Sequence, residues 1–430
     1  MSNIHHRLKI LLSCYSCGPG RGSEPGVGWN AALALAELHE VHVLTTSEFE
    51  SNIKEQIASG TLPETLHFHF YEVPFGRWMW RHADGMFKRI IGLGIRIHYK
   101  LWQHMVLGTA RRLHNEYIFD SAQHITFVRY CDSAFVSRLD IPYIFGPVGG
   151  AETTPKSLEG THSPGGMLVE FFRKAGRWIG EHSRSVKRTM RNASFVLAVT
   201  PQTADRCLKI GSSESRTIIY PAIGLPEVEC KMLSSISFES ETLCFAGFGR
   251  MIDWKRFDLA LRGFAKANVP DSRFMIIGGG PEENNLRKLA ESLEVSDRVL
   301  FTGMLPREEA LLQIAQMDVL IHSSVHDSGG CVCLEAMSAG RPVICLDWAG
   351  PGVLVTDEVG IKVTVGTEDE VIEGIAGAIN VLSDEAVRKT KGETAKKLVK
   401  SKYHWSSKAA FYSELHFKAL SMQREHEVTR

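Results

Sequence analysis

Two cations stand close together in Gly249-Arg250-Met251-Ile252-Asp253-Trp254-Lys255. The apolar run before them, 242–247, has the length of a strand, and 257–266 repeats at helical spacing. Arg250 and Lys255 therefore fall in a strand-to-helix loop, near the positive end of a helix. A pyrophosphate needs such a pair, because arginine forks two phosphate oxygens and lysine supplies a point charge. One charge pair at ~4 Å, with an effective dielectric of ~20, gives about 4 kcal/mol before desolvation. Alone, the two side chains read equally as solvated loop cations.

A second block follows the apolar run 319–322: Ser323-Ser324-Val325-His326-Asp327-Ser328-Gly329-Gly330-Cys331-Val332-Cys333-Leu334-Glu335. Gly329 and Gly330 let backbone N–H groups approach an anionic or hydroxyl-rich ligand. Glu335 falls in the first turns of the next helix, where a carboxylate can accept from two vicinal hydroxyls. Asp327 sits eight residues earlier, in the loop. Near the start, Gly18-Pro19-Gly20-Arg21-Gly22-Ser23-Glu24-Pro25-Gly26 joins the first apolar run to a helical pattern. His124 ends a later apolar run, and a lone histidine reads as readily as a structural residue as a functional one. Gly146-Pro147-Val148-Gly149-Gly150 is a further loop of the same kind.

Strands and helices must alternate to position these loops. Apolar runs at 8–13, 41–46, 66–73, 121–127, 143–145, 195–199 and 217–220 are strand candidates, and 29–38 is an alanine- and leucine-rich helix. After residue 225 the alternation resumes, with strands at 242–247, 274–277, 299–302, 319–322 and 343–346 and helices at 257–266, 282–293, 307–316 and 333–339. Alternating βα units imply parallel sheets with helices on both faces. The expected class is α/β, as two doubly wound Rossmann-like domains facing across a cleft at the carboxyl ends of their strands. The expected domains are 1–225 and 226–404, with 221–240 as an aperiodic linker. A last helix, 405–430, would return to the first domain.

The 430 residues suit two domains. Hydrophobic residues make up 44%, enough for packed cores, so disorder is excluded as the main state. Forty-nine basic residues balance forty-nine acidic ones, which excludes a general nucleic-acid coat. The longest apolar stretches break within about ten residues, short of the ~20 needed to cross a bilayer. Residues 1–17 read as a first strand rather than a secretory signal. Nine scattered cysteines fit a reducing, cytoplasmic protein better than a disulfide framework; Cys14-x-x-Cys17 lacks a second pair at zinc-ligand spacing.

The 242–365 stretch resembles the retaining GT-B glycosyltransferases of the large family 4 group. Their pattern is two glutamates separated by seven residues and then Ala-Met-x-x-Gly-x-Pro-Val-Ile. Here Glu335 and the tail through Ile344 match, whereas the first acid is Asp327. Arg250 and Lys255 match the family's Gly-Arg-x-x-x-x-Lys, and Gly278-Gly279-Gly280-Pro281 and Val299-Leu300-Phe301-Thr302-Gly303 match two further family turns. The loop with Gly20 and Gly22, the strand 41–45 and His124 match the first domain more loosely.

The resemblance implies a hexose moved from a nucleotide-diphosphate sugar to a hydroxyl of a glycan or lipid-linked acceptor, with retention. Bacterial surface or extracellular polysaccharide assembly is the expected setting. Arg250 and Lys255 would neutralise the leaving diphosphate and Glu335 would hold the ribose. Asp327, Ser328 and the amides of Gly329 and Gly330 would meet the sugar, Gly249 and Gly303 would border the nucleotide, and His124 would lie near the transferred sugar. An aspartate is one methylene shorter than the family's glutamate, which leaves the sugar open. No metal or other cofactor is expected, since no Asp-x-Asp occurs in the chain.

Segment 76–112 is basic and aromatic: Arg77, Arg81, Lys88, Arg89, Arg96, Lys100, Arg111 and Arg112 interleave with Trp78, Trp80, Phe87 and Trp102. It suits an anionic membrane surface, placing the protein peripherally on the inner face of the membrane, or a pair of helices with one buried face. Residues 173–191 carry the same two readings. Three rival functions fit part of the pattern. A nicotinamide-dependent oxidoreductase would use Gly18-x-Gly20-x-Gly22, but Glu48 is its only ribose-binding acid. A GT-B epimerase or phosphorylase, and a non-catalytic sugar-nucleotide-binding protein, would share the second-domain motifs.

Overall fold

A computed structural model of the chain describes residues 7–74, 87–127, 129–159, 174–236 and 242–428. It divides into two compact units. The first comprises Met1–Ala151, Gly166–Ala222 and Lys408–Arg430; the second comprises Glu152–Gly165 and Ile223–Ser407.

The first unit is built on seven parallel strands: β1 (Lys9–Cys14), β2 (Glu40–Thr45), β3 (Leu66–Phe70), β4 (Ser121–Thr126), β5 (Tyr143–Val148), β6 (Phe195–Ala198) and β7 (Thr217–Ile219). Their order is β3-β2-β1-β4-β5-β6-β7. Five of the six β1 residues are buried, as are all of β4 and β5, because helices cover both faces. Helix Ser23–Ala36 lies so close to the chain after β1 that a Cβ on Gly28 would stand 2.5 Å from the Ser16 carbonyl oxygen.

Helix Trp405–Val428 joins this unit through polar locks from its 408–416 turns. Lys408 is fully buried, donates to the Pro221 carbonyl at 2.6 Å and lies over the Tyr220 ring. His416 meets Ser121 Oγ at 2.8 Å and Gln123 Oε1 at 3.2 Å.

The second unit has six parallel strands: β8 (Leu243–Phe248), β9 (Ser272–Ile277), β10 (Val299–Gly303), β11 (Val319–His322), β12 (Val343–Leu346) and β13 (Gly360–Val363). Their order, β10-β9-β8-β11-β12-β13, reverses between β8 and β11. The two doubly wound parallel sheets expected from the apolar runs are therefore present.

Of the stretch 221–240, the described residues 221–236 are not an aperiodic linker. They contain helix Glu227–Ser235, with Leu233 fully buried and the Leu225 amide bonded to the Tyr403 carbonyl at 3.0 Å. A nine-residue helix anchored at so few apolar points shows no periodicity to read.

Of the 76–112 segment, Arg77, Trp78, Trp80 and Arg81 lie outside the described residues. Helix Phe87–Met105 buries Tyr99 and Trp102 and exposes Ile97, Leu101 and Met105, one turn apart, beside Lys100. No helix among the described residues is long and apolar enough to cross a membrane.

Candidate active site

The loops after β8 and β11 meet where strand order reverses, the place at which open α/β sheets bind ligands. The β8 loop turns through a short 3-10 segment, Asp253–Lys255, and then Arg256, whose φ is +47°. Ser323 Oγ donates to the Arg256 carbonyl at 2.7 Å, and Ser324 Oγ to that of Trp254 at 3.2 Å. The Val325 amide donates to the Trp254 carbonyl at 3.0 Å. Two loops far apart in sequence thus form one frame, and the frame fixes Lys255 and Asp327.

Lys255 Nζ lies 2.7 Å from Asp327 Oδ2, and His322 Nε2 lies 3.3 Å from the same oxygen. Asp327 Oδ1 accepts from the amides of Gly329 at 3.0 Å and Gly330 at 2.9 Å. Burial pushes this carboxyl up, but the His322 contact and Lys255 outweigh it and hold Asp327 well below the usual carboxylate range. His322 is buried, and burial lowers it more than Asp327 raises it. Gly330, at φ +68°, caps helix Cys331–Ser338, and a Cβ there would stand 3.2 Å from Leu354 and Pro351. Ser328 is placed by its backbone, which Gly350 packs against closely enough to exclude any side chain.

Glu335 is buried on the following helix. Its Oε1 pairs with Arg307 Nη2 at 2.7 Å and accepts from Cys331 Sγ at 3.4 Å. Arg307 opens helix Arg307–Ala315 and also meets Glu229 at 3.0 Å. Burial raises the Glu335 carboxyl above its ordinary value, with Arg307 opposing.

Beside these groups a cavity of about 490 Å³ is lined by Gly249, Arg250, Gly278, Gly279, Met304 and Leu305 among others. Arg250 makes no ion pair among the described residues. Gly278 is required here: its φ is +131°, and a Cβ would stand 2.1 Å from the Gly249 carbonyl oxygen. Gly303, at φ +72°, accepts from the Gly278 amide at 3.1 Å and closes the floor between β9 and β10.

The structure thus brings Lys255, Asp327, Gly329 and Gly330 into contact, with Arg250 and Gly249 on the cavity wall and Glu335 in a separate buried pair. His124, Gly20 and Gly22 belong to the first unit. His124 is buried on β4, with Nδ1 3.0 Å from Ser13 Oγ and Nε2 3.0 Å from Tyr99 Oη, and it stacks on Phe145. Burial drives its imidazole down to about 4. Gly22 stands at the N-terminus of helix Ser23–Ala36, and both Gly20 and Gly22 face open space.

Sequence reasoning missed His322, Arg307 and Glu229. His322 was legible only as a strand terminus, and Arg307 only as the residue after Pro306 that opens a helix. Glu229 lay in the stretch read as linker.

This is the GT-B fold. The structure of Anabaena HepE in complex with UDP matches at a TM-score of 0.57 and 16% identity, covering 95% of this chain and 98% of that one. Residues 235–398 match the family model of the glycosyl transferases group 1. The lipopolysaccharide core biosynthesis glycosyltransferase LpsE of Rhizobium meliloti (strain 1021) is 30% identical over 200 residues, 46% of this chain and 56% of that protein. The GDP-mannose-dependent alpha-(1-6)-phosphatidylinositol monomannoside mannosyltransferase of Mycolicibacterium smegmatis is 26% identical over 296 residues, covering 66% and 74%. The chain spans little more than half the length of the curated relatives it matches first, 56%, 59% and 54%.

Proposed function

We propose that the chain is a nucleotide-sugar-dependent glycosyltransferase of the retaining, family 4 type. It moves a hexose to a hydroxyl of a glycan or lipid-linked acceptor in cell-surface or extracellular polysaccharide assembly. The observation that carries this reading is Lys255 held at 2.7 Å by Asp327, in the loop that also places Arg250 on the cavity wall at the reversal point of the sheet. Arg250 on the wall of a cavity this size, with Lys255 later in the same loop, fits a nucleoside diphosphate. The names of the similar proteins, UDP with one and GDP-mannose with another, favour the same ligand class.

In the reaction the acceptor oxygen forms a bond to the anomeric carbon while the bond from that carbon to the diphosphate oxygen breaks. The acceptor proton passes to the departing phosphate on the same face. Charge grows on the diphosphate, where Arg250 and Lys255 meet it, and such preorganised charge is the main catalytic term for a reaction of this kind. Glu335 holds the ribose hydroxyls once Arg307 yields or shares its oxygen. No metal is assigned to this step; the two side-chain cations take that role. The exposed Ile97, Leu101 and Met105 with Lys100 support peripheral docking on an anionic inner membrane face.

The test is nucleotide release across UDP-, GDP- and ADP-sugars with cell-extract acceptors, followed by NMR of the product anomer. Release from one donor that Glu335→Ala abolishes, with the anomeric configuration kept, is the expected result. Binding of one nucleotide with no turnover would favour a non-catalytic binding protein.

A further inference from the structure

The first unit carries a cluster of imidazoles at the amino-terminal edge of its sheet, the edge opposite the loop that bears Gly20 and Gly22. In the sequence it appears as Glu40-Val41-His42 on β2 and His67-Phe68-His69 on β3. Alternate residues of a strand share a face, and the parallel register sets His42 against His67 and Leu44 against His69. All four polar side chains therefore emerge on one face of two neighbouring strands.

We propose that Glu40, His42 and His67 form a binding site for one divalent transition-metal ion of the zinc class, with His69 orienting His42. A ligand atom from each of the three lies within 4.8 Å of the other two. His42 Nε2 stands 3.2 Å from Glu40 Oε1, and the His42 and His67 rings are 4.6 Å apart. Ligands about 2.0–2.2 Å from a tetrahedral ion stand about 3.3–3.5 Å from one another, so small side-chain rotations close the set. His42 Nδ1 lies 2.9 Å from His69 Nε2, the outer hydrogen bond that fixes which nitrogen of a ligating imidazole faces the ion.

Tyr117 and Phe119 cover His42 at ring distances of 4.3 and 5.1 Å, which leaves the half-buried Glu40 and His67 as the entry side. Two imidazoles and one carboxylate suit Zn²⁺, Co²⁺ or Ni²⁺ rather than Mg²⁺ or Ca²⁺. The ion would tie the edge strand β3 to β2. It lies on neither the cavity nor the Lys255–Asp327 frame, so the proposal stands or falls apart from the proposed transfer reaction.

The test uses full-length protein without affinity-tag histidines, with its thiols kept reduced by a phosphine. Zn²⁺ binding is followed by calorimetry and Co²⁺ by its visible d–d absorption. Wild type takes up one equivalent, with the absorption of a nitrogen- and oxygen-ligated Co²⁺ ion free of thiolate bands, and melts at higher temperature with Zn²⁺. His67→Asn and Glu40→Gln, both at half-buried positions, match wild type in chelator but lose the equivalent and the thermal gain. His69→Phe keeps the site and weakens it by about 10- to 100-fold. Absence of a one-equivalent event in wild type, a thiolate band, or binding unchanged in both His67→Asn and Glu40→Gln would overturn the proposal.

Discussion

Asp327 Oδ2 stands 2.7 Å from Lys255 Nζ, while Asp327 Oδ1 takes the amides of Gly329 and Gly330. Both oxygens of this carboxylate serve the protein. The shorter aspartate can fold back onto its own following amides, which turns it into a brace between the two loops. Asp327→Asn keeps an acceptor for those amides and removes the charge facing Lys255. Breaking one side of a mostly buried pair costs about 3 kcal/mol, so kcat/KM falls about a hundredfold. Steady-state kinetics with the identified donor checks this, and a fall of less than threefold would mean that Lys255 needs no brace.

Arg307→Ala leaves the buried Glu335 carboxylate without its cation. Burial already raises this carboxyl, with Arg307 opposing, so the variant raises it further. A raised carboxyl binds its proton more tightly folded than unfolded, so stability falls as pH rises through the window above its ordinary value of 4.5. The acid limb of donor binding, which needs the anion, shifts to higher pH. A pH profile of donor KM for wild type, Arg307→Ala and Arg307→Lys measures the shift, with lysine restoring part of it.

Gly278→Ala places a Cβ against the Gly249 carbonyl at a backbone conformation that side chains disfavour. The cost is about 2–3 kcal/mol of stability, with loss of donor affinity as the cavity floor moves. Gly22→Ala meets no atom within 4 Å. It leaves the melting temperature unchanged. Thermal melts beside donor titrations separate the two effects.

His124 and His416 are fully buried in the first unit. Burial drives them below their ordinary 6.5, to about 4 and about 3. Both are neutral when folded and take up a proton on unfolding. Their contribution is complete above pH ~6.5 and is lost as pH falls toward ~4 for His124 and ~3 for His416, on the order of 3 and 5 kcal/mol respectively. Melting temperature therefore drops steeply between pH 6.5 and 4.5. His124→Gln, which keeps polar partners for Ser13 and Tyr99, flattens that slope.

The strand runs were legible because central strands of a parallel sheet are buried on both faces and read as unbroken apolar stretches. Val319–His322 and Val343–Leu346 fall where those runs placed them. Strand Gly360–Val363 did not show, since it is a half-buried edge strand with Lys362 inside it. Arg250, Lys255 and Asp327 in their loops and Glu335 on its helix were singled out by residue type, spacing and the family resemblance together. Their partners were not: His322 read only as the end of a strand, and Arg307 reaches Glu335 from another helix. Such pairings belong to the packed loops, and spacing along the chain carries no trace of them.

The measurement that bears most directly on the account is calorimetric binding of the donor's nucleoside diphosphate to wild type, Lys255→Ala and Arg250→Ala. The expected result is one site in wild type, weakened about a hundredfold by Lys255→Ala and comparably by Arg250→Ala; Lys255→Ala also melts lower because Asp327 loses its partner, whereas Arg250→Ala melts like wild type. Equal affinity in all three proteins would contradict the assignment of the diphosphate to this loop.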